Sequence, residues 1–191
     1  MPWRADDLLS PLPRCCPRCL LADPVPYVRL HWRLAWMASC PQHGEMLVPL
    51  LMPSTMVHVL RDRAPRRAAA DLLALDRVTL SAATTGTALL PRGGGPVPGA
   101  AWLRALRTLL DELIRPMAWF TGQGRDEVTM AWLRTGGMYS ARHGWQAATF
   151  ERMPPEQRGV LLQVAGAVVR HQAVRPARDG TGTMLRSHVM K

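Results

Sequence analysis

Two short turns near the amino-terminal end each offer a pair of metal ligands, and this pattern constrains the fold more than any other feature of the chain. The first turn reads C-P-R-C at residues 16–19, and the second reads C-P-Q-H at residues 40–43. Zn²⁺ prefers four sulfur and nitrogen ligands in a tetrahedron, and a two-residue gap lets one tight turn supply two of them. The spacing therefore predicts one structural zinc ion, with the ligands Cys16, Cys19, Cys40 and His43.

Other chemistry for these cysteines fits the surrounding sequence less well. A redox-active C-x-x-C pair usually opens a helix after a β-strand, whereas residues 11–13 read Pro-Leu-Pro. The first residues lack the cationic start and apolar core of a signal peptide, so we expect a reducing, cytoplasmic location in which disulfides are rare. Unligated thiols are a further alternative, and Cys15 is a spare thiol that could replace Cys16 as a ligand.

The sequence contains no motif that predicts catalysis. The four ligands fill a tetrahedron and leave no position for a reactive water, so the predicted zinc is structural. No H-E-x-x-H, G-x-S-x-G, P-loop or spaced D-D-E pattern is present. We therefore expect a protein that is not an enzyme and has no small-molecule substrate.

The segment between the two turns carries the signals of a helix over residues 23–38. An Asp-Pro pair at residues 23–24 suits an N-cap followed by the first helical position. Apolar residues then recur at helical spacing, with Trp32 and Trp36 one turn apart. The tryptophans could build a small core against the metal turns, which is the favoured interpretation. Alternatively, one side of the segment binds a partner through Arg29, Trp32 and Arg33.

The rest of the chain is predicted to be helical, which makes the fold mostly α. Apolar periodicity and flanking Pro or Gly residues predict helices over residues 68–75, 100–115, 126–134 and 154–172. The sequence thus divides into a zinc-knuckle module (1–50), a helical domain (51–174) and a flexible basic tail (175–191). The longest apolar stretch falls far short of the roughly 20 residues needed to span a membrane, and no membrane span is expected.

A further helix is predicted to begin near Ser140, after the glycines at 136–137. Two short helices across a Gly-containing turn could form a helix-turn-helix, in which Arg142, His143 and Gln146 would face a DNA groove. An ordinary helical hairpin is the commoner arrangement for this signal. The pattern leaves both open.

Net charge is +10, and its distribution indicates which part could bind nucleic acid. Residues 1–60, 61–125 and 126–191 carry +1, +5 and +4. Three thiolates and a neutral imidazole around Zn²⁺ add a further −1 to the first segment, so the helical part is the better match for phosphate. The candidate nucleic-acid contacts are Arg61, Arg63, Arg66, Arg67 and Arg142.

Residues 16–47 resemble the zinc-finger segment of TniQ-family transposition proteins. The shared pattern is C-P-x-C, a short gap, P-Y-x-R-L-x-W-R, and then C-P-x-H-G followed by apolar residues. The similarity is looser from Phe150 to Arg158. The chain differs from many members in having a short segment before the first turn and no second cysteine pair after the histidine.

The resemblance implies a non-enzymatic adaptor for target-site selection in DNA transposition. TniQ-family proteins bind DNA, or a complex already on it, and recruit an AAA+ ATPase that brings the transposase. DNA and an AAA+ ATPase are therefore the expected partners. The alternatives are a zinc-dependent transcriptional regulator that binds DNA alone, and a folded transposon remnant without partners.

Overall fold

The computed structural model describes residues 13–50, 64–91, 95–120, 122–136 and 149–171. Within these ranges the chain is mostly α-helical, which confirms the predicted fold class. The helices are α1 (Pro17–Ala22), α2 (Ala70–Thr85), α3 (Gly99–Leu113), α4 (Gly122–Arg134) and α5 (Pro155–His171). No helix in the described part of the chain is long and apolar enough to cross a membrane.

The described residues contain three short antiparallel strand pairs. β1 (Arg14–Cys15) pairs with β4 (Val48–Pro49), β2 (Ser39–Cys40) with β3 (Glu45–Met46), and β5 (Thr87–Leu89) with β6 (Pro96–Pro98). Residues 61–67 form a basic run with the sequence R-D-R-A-P-R-R, and the segment at residues 66–68 lies beside β3. The Arg66 carbonyl accepts the Met46 N–H at 2.8 Å, and the Ala68 N–H donates to the Gly44 carbonyl at 2.9 Å.

The helix predicted over residues 23–38 is wrong. α1 ends before this segment, Asp23 is its C-cap, and the region contains a short 3-10 helix at Leu30–Arg33. Asp23 and Val25 each precede a proline, and the proline ring disfavours the α conformation in the residue before it. The two prolines therefore keep the start of the segment extended.

The other helix predictions are confirmed with shifted boundaries. The structure extends the helix predicted over 68–75 to Thr85, where Gly86 ends it in a left-handed conformation at φ 73°. α3 and α5 lie within two residues of their predicted ends, and α4 begins four residues early. Residues 137–148, which hold the predicted helix-turn-helix, and the predicted tail lie outside the described residues.

Helices α2, α3, α4 and α5 share one hydrophobic core. Its fully buried members come from every one of these helices, as shown by Leu75, Leu109, Val128 and Leu161. α2 and α5 lie close together at Gly166, where an added Cβ would lie 2.3 Å from the Asp71 carbonyl oxygen. This position therefore requires glycine.

A second, smaller core surrounds the cysteines. Trp32 and Met37 are fully buried in it, and Leu20 and Leu47 also pack there. The neighbours of Met37 belong to the main core instead, which contains Ala35, Trp36 and Ala38. Trp32 thus packs against the metal turns, as the favoured interpretation predicts, whereas Trp36 packs in the main core.

A buried carboxylate joins α2 to the second ligand turn. Asp76 is fully buried, and its Oδ2 accepts the Ala38 N–H at 3.2 Å, the Ser39 N–H at 2.6 Å and the Ser39 hydroxyl at 2.5 Å. Burial raises the pKa of Asp76 to about 7, although these bonds and the charge of Arg14 act in the opposite direction. Arg14 lies in β1 and donates to the Leu34 carbonyl at 2.8 Å.

Candidate metal centre

The four predicted ligands come together from two separate turns. Cys16 is the N-cap of α1, and Cys19 lies in its first turn. Cys40 ends β2, and His43 lies in the turn before β3. Gly44 closes this turn with φ 67°, and its N–H donates to the Cys40 carbonyl at 2.8 Å. A left-handed residue of this kind is best accommodated by glycine.

The ligand atoms lie within 4.8 Å of one another. The Nδ1 atom of His43 is 3.4 Å from the sulfur of Cys16, 3.2 Å from that of Cys19 and 3.8 Å from that of Cys40. The sulfurs of Cys19 and Cys40 are 3.7 Å apart. The three cysteines are buried, His43 is half-buried, and none of the cysteines forms a disulfide.

These distances fit a tetrahedral zinc site. Zn–S bonds of about 2.3 Å and Zn–N bonds of about 2.0–2.1 Å correspond to ligand separations of roughly 3.4–3.8 Å along the edges of a tetrahedron. The measured separations scatter around these values. The four residues could therefore hold one metal ion, and three soft sulfurs with one imidazole suit zinc among the common divalent ions.

Hydrogen bonding and burial shift the pKa values of the three thiols in different directions. Hydrogen bonding from Cys16, together with the backbone N–H groups of His43 and Gln42, lowers the pKa of Cys40 to about 4 despite burial. The bond to Cys40 and burial raise the pKa of Cys16, and burial raises that of Cys19 to about 11. One thiolate forms readily, whereas three together need a cation to offset their charge.

A shell of side chains around the ligands links the two turns. The Arg29 guanidinium donates to both carboxylate oxygens of Asp23 at 3.3 Å and to the amide oxygen of Gln42 at 3.2 Å. The Gln42 oxygen is in turn 3.6 Å from the Cys19 sulfur. Burial acts to lower the pKa of Arg29, but the charges of Cys19 and Asp23 outweigh it and raise the pKa.

Aromatic rings hold the same guanidinium in place. Its central carbon lies 5.8 Å from the ring centre of Tyr27 and 5.4 Å from that of Trp32. Distances below about 6 Å allow a cation–π interaction. Sequence reasoning did not identify Asp23 or Gln42 as part of the site, although Gln42 stands between two predicted ligands.

The remaining predicted site residues are dispersed. Cys15 lies in β1 opposite Val48 and outside the group of four ligands. Arg33 is exposed and Trp32 is fully buried. Of the candidate nucleic-acid contacts, Arg66 and Arg67 are exposed beside β3. The others, Arg61, Arg63 and Arg142, lie outside the described residues.

The comparison with protein families gives one match. The family model described as TniQ matches residues 2–47, a range that includes all four predicted ligands and ends just before β4. No curated protein and no solved structure matches the chain. The match thus falls on the segment that contains the four predicted ligands.

Proposed function

We propose, from the match of residues 2–47 to the TniQ family model, that the chain is a TniQ-family protein and a non-enzymatic adaptor for target-site selection in DNA transposition. It would link DNA, or a complex already bound to DNA, to an AAA+ ATPase in the cytoplasm. The observation that carries the proposal is the coincidence of the family match with four ligand atoms that lie within 4.8 Å of one another.

We propose that the ion is Zn²⁺ and that its role is structural. The ligands would be Cys16, Cys19, Cys40 and His43, and bound zinc would neutralise their thiolates while fixing both turns. The expected organisation is a zinc-knuckle module (1–50), a helical domain (51–174) and a basic tail (175–191). The Asp76 bonds to Ala38 and Ser39 support a fixed relation between the first two.

The proposed partner surface is the segment that joins the two ligand turns. Exposed large apolar side chains concentrate there: Leu21, Val25, Tyr27, Val28 and Leu30. Arg33 is also exposed on this segment, so it remains a candidate contact, together with the accessible part of Arg29. Trp32 is buried and would support this surface by packing beneath Arg29. Clustered exposed apolar residues on a folded domain often mark an interaction site.

Two of the proposed DNA contacts, Arg66 and Arg67, lie beside β3. Arg66 and Arg67 are exposed on an extended segment, which its hydrogen bonds to Gly44 and Met46 hold beside β3. Their guanidinium groups could contact phosphates without any rearrangement of the backbone. Arg61, Arg63 and Arg142 are proposed as further contacts.

A co-purification experiment tests the adaptor function. The full chain, loaded with zinc, is mixed with the AAA+ ATPase encoded beside it, with and without duplex DNA. We expect a complex that Leu30→Ser weakens and Leu133→Ser does not. Both leucines are well exposed, at 77% and 62%, but Leu133 lies on α4 away from the proposed surface. A chain that binds neither the ATPase nor DNA at low salt would refute the proposal.

DNA binding is tested separately by fluorescence anisotropy over a range of salt concentrations. Each phosphate that the protein neutralises contributes about 0.9 to the steepness with which log K falls against log salt. The double variant Arg66→Ala, Arg67→Ala should therefore show a slope shallower by close to two, while Arg77→Ala on the exposed side of α2 should keep the wild-type slope. Tight, sequence-selective binding by the isolated chain would instead identify a stand-alone regulator.

A further inference from the structure

Arg29 lies between the two ligand turns and contacts both. One of its nitrogens donates to the two oxygens of Asp23, the residue that caps α1 and whose N–H donates to the Cys19 carbonyl at 3.1 Å. Another donates to Gln42, which stands between Cys40 and His43. The guanidinium therefore spans from the end of the first turn to the middle of the second.

The surroundings of Arg29 fix its position. The rings of Tyr27 and Trp32 both lie within cation–π distance of the guanidinium, and Trp32 is itself fully buried in the metal-side core. The Arg29 and Asp23 side chains are only 24% and 20% exposed. A partly buried ion pair held against rings is better ordered than an exposed one, which usually contributes little.

Arg29 also completes the charge balance beside the sulfurs. Zinc bound by three thiolates and a neutral imidazole leaves a net charge of −1. The Cys19 thiol donates to the Gln42 amide oxygen at 3.6 Å, so two electron-rich atoms would meet at this point once a bound ion displaces the thiol proton. The Arg29 nitrogen, 3.2 Å from the same oxygen, supplies the positive charge that makes this contact favourable.

We propose that Arg29 is a positioning residue of the metal centre, which ties the two ligand turns together through Asp23 and Gln42 and offsets the negative charge of the thiolates. This inference rests on the proposed occupancy of the site by zinc. Lysine cannot replace arginine fully, because one ammonium group cannot form both sets of hydrogen bonds with separate nitrogens while it lies over two rings.

Zinc affinity of the full chain tests this role. The dissociation constant is measured by competition with a chromophoric chelator for wild type, Arg29→Met, Arg29→Lys and the control Arg33→Met, whose arginine is exposed on the same segment. Loss of an outer-shell partner typically weakens metal binding 10- to 100-fold. We expect a loss in this range for Arg29→Met, an intermediate loss for Arg29→Lys, and less than a twofold change for the control.

Gln42→Ala approaches the same contact from the other side. Gln42 is exposed, so we expect Gln42→Ala to fold normally. It therefore tests the contact even if Arg29→Met fails to fold. We expect weaker zinc binding, and the double variant should lose less affinity than the two single losses combined, because both remove one bridge. Spectra of the Co²⁺-loaded variants should show altered thiolate charge-transfer bands, which a general loss of stability would not produce.

Two results have distinct meanings. Wild-type chain that binds neither Zn²⁺ nor Co²⁺ would overturn the proposed metal site itself. In the second result, wild type binds zinc, and Arg29→Met and Gln42→Ala bind it as tightly as the Arg33→Met control does. This result would overturn the role of Arg29 but not the proposed metal site.

Discussion

Replacement of Asp76 by alanine should destabilise the protein by about 3–5 kcal/mol. The change removes the acceptor of two backbone N–H groups and one hydroxyl, all of them buried. A buried donor without a partner costs about 1–3 kcal/mol. The sum is reduced because the Ser39 hydroxyl can rotate and because the buried carboxylate is itself costly to desolvate, as the raised pKa of Asp76 shows.

Asp76→Asn is the matched control. All three hydrogen bonds converge on Oδ2, and Oδ1 accepts none from the described residues. Asparagine can therefore keep its oxygen toward the three donors and place its nitrogen where Oδ1 stood. At pH 7 we expect a loss of about 1–3 kcal/mol, smaller than that of Asp76→Ala, because the three donors keep an acceptor and the cost is confined to the buried amide nitrogen at the Oδ1 position.

The pH dependence gives a second, independent test. The pKa of Asp76 is about 7 when folded, above the usual value of 3.8, so the folded protein binds this proton more tightly than the unfolded chain. The stabilisation is complete below pH 4 and is lost as the pH rises through about 7. From pH 6 to pH 8, the free energy of unfolding of wild type relative to Asp76→Asn should fall by about 1.4 kcal/mol.

Urea unfolding of the zinc-loaded protein, followed by tryptophan fluorescence, measures all three forms across this pH window. Asp76→Ala should unfold at a much lower urea concentration than the other two. Two results would refute the reasoning: an asparagine variant as unstable as the alanine variant, or a wild-type difference from Asp76→Asn that does not change with pH.

Three further outcomes follow from the packing and the metal site. Excess strong chelator should lower the melting temperature by many degrees, because structural zinc contributes folding free energy; an unchanged melting curve would contradict the metal site. Gly166→Ala should lower the free energy of unfolding in urea by about 3 kcal/mol through overpacking. Gly159→Ala is the control, because no atom lies within 4 Å of the added Cβ, and it should be neutral or slightly stabilising. Arg107→Met should lower the free energy of unfolding by about 1–2 kcal/mol, because it breaks the 2.9 Å ion pair with Glu151. Arg104 is exposed, so Arg104→Met should lose less. Equal losses would argue against the ion pair.

The close grouping of Cys16, Cys19, Cys40 and His43 could be predicted because each pair lies in one short stretch of sequence and the chemistry of Zn²⁺ restricts the choice of ligands. α3 and α5 could be predicted because their apolar residues recur at helical spacing, and prolines mark where they begin or end. In both cases the information lies within a short stretch, so no knowledge of the rest of the fold is needed.

The segment after α1 shows where this approach fails. The Asp-Pro pair at residues 23–24 fits the start of a helix, but the same residues fit the end of one. The Asp76 bonds then hold Ala38 and Ser39 in an extended conformation from a position 37 residues away. No local pattern reports such a contact, and tertiary structure decided the outcome.

The basic run before α2 shows a different limit. Its composition predicts a solvated linker, and Arg66 and Arg67 are indeed exposed. Its backbone, however, bonds to Gly44 and Met46 and so extends the strand pair that carries two metal ligands. Exposure of the side chains could be inferred from their charge, whereas the partner of the backbone could not.

Residues 36–38 alternate between the two cores, and this sets a limit on how the protein can be re-engineered. Met37 fills the metal-side core, whereas Trp36 and Ala38 fill the space against the long helices. In a chimaera, the corresponding segment of a TniQ-family protein would carry side chains that fit a different set of helices. Such a transplant should succeed only when the donor also supplies the facing surface of α2, including Asp76, so the two parts must be inherited together.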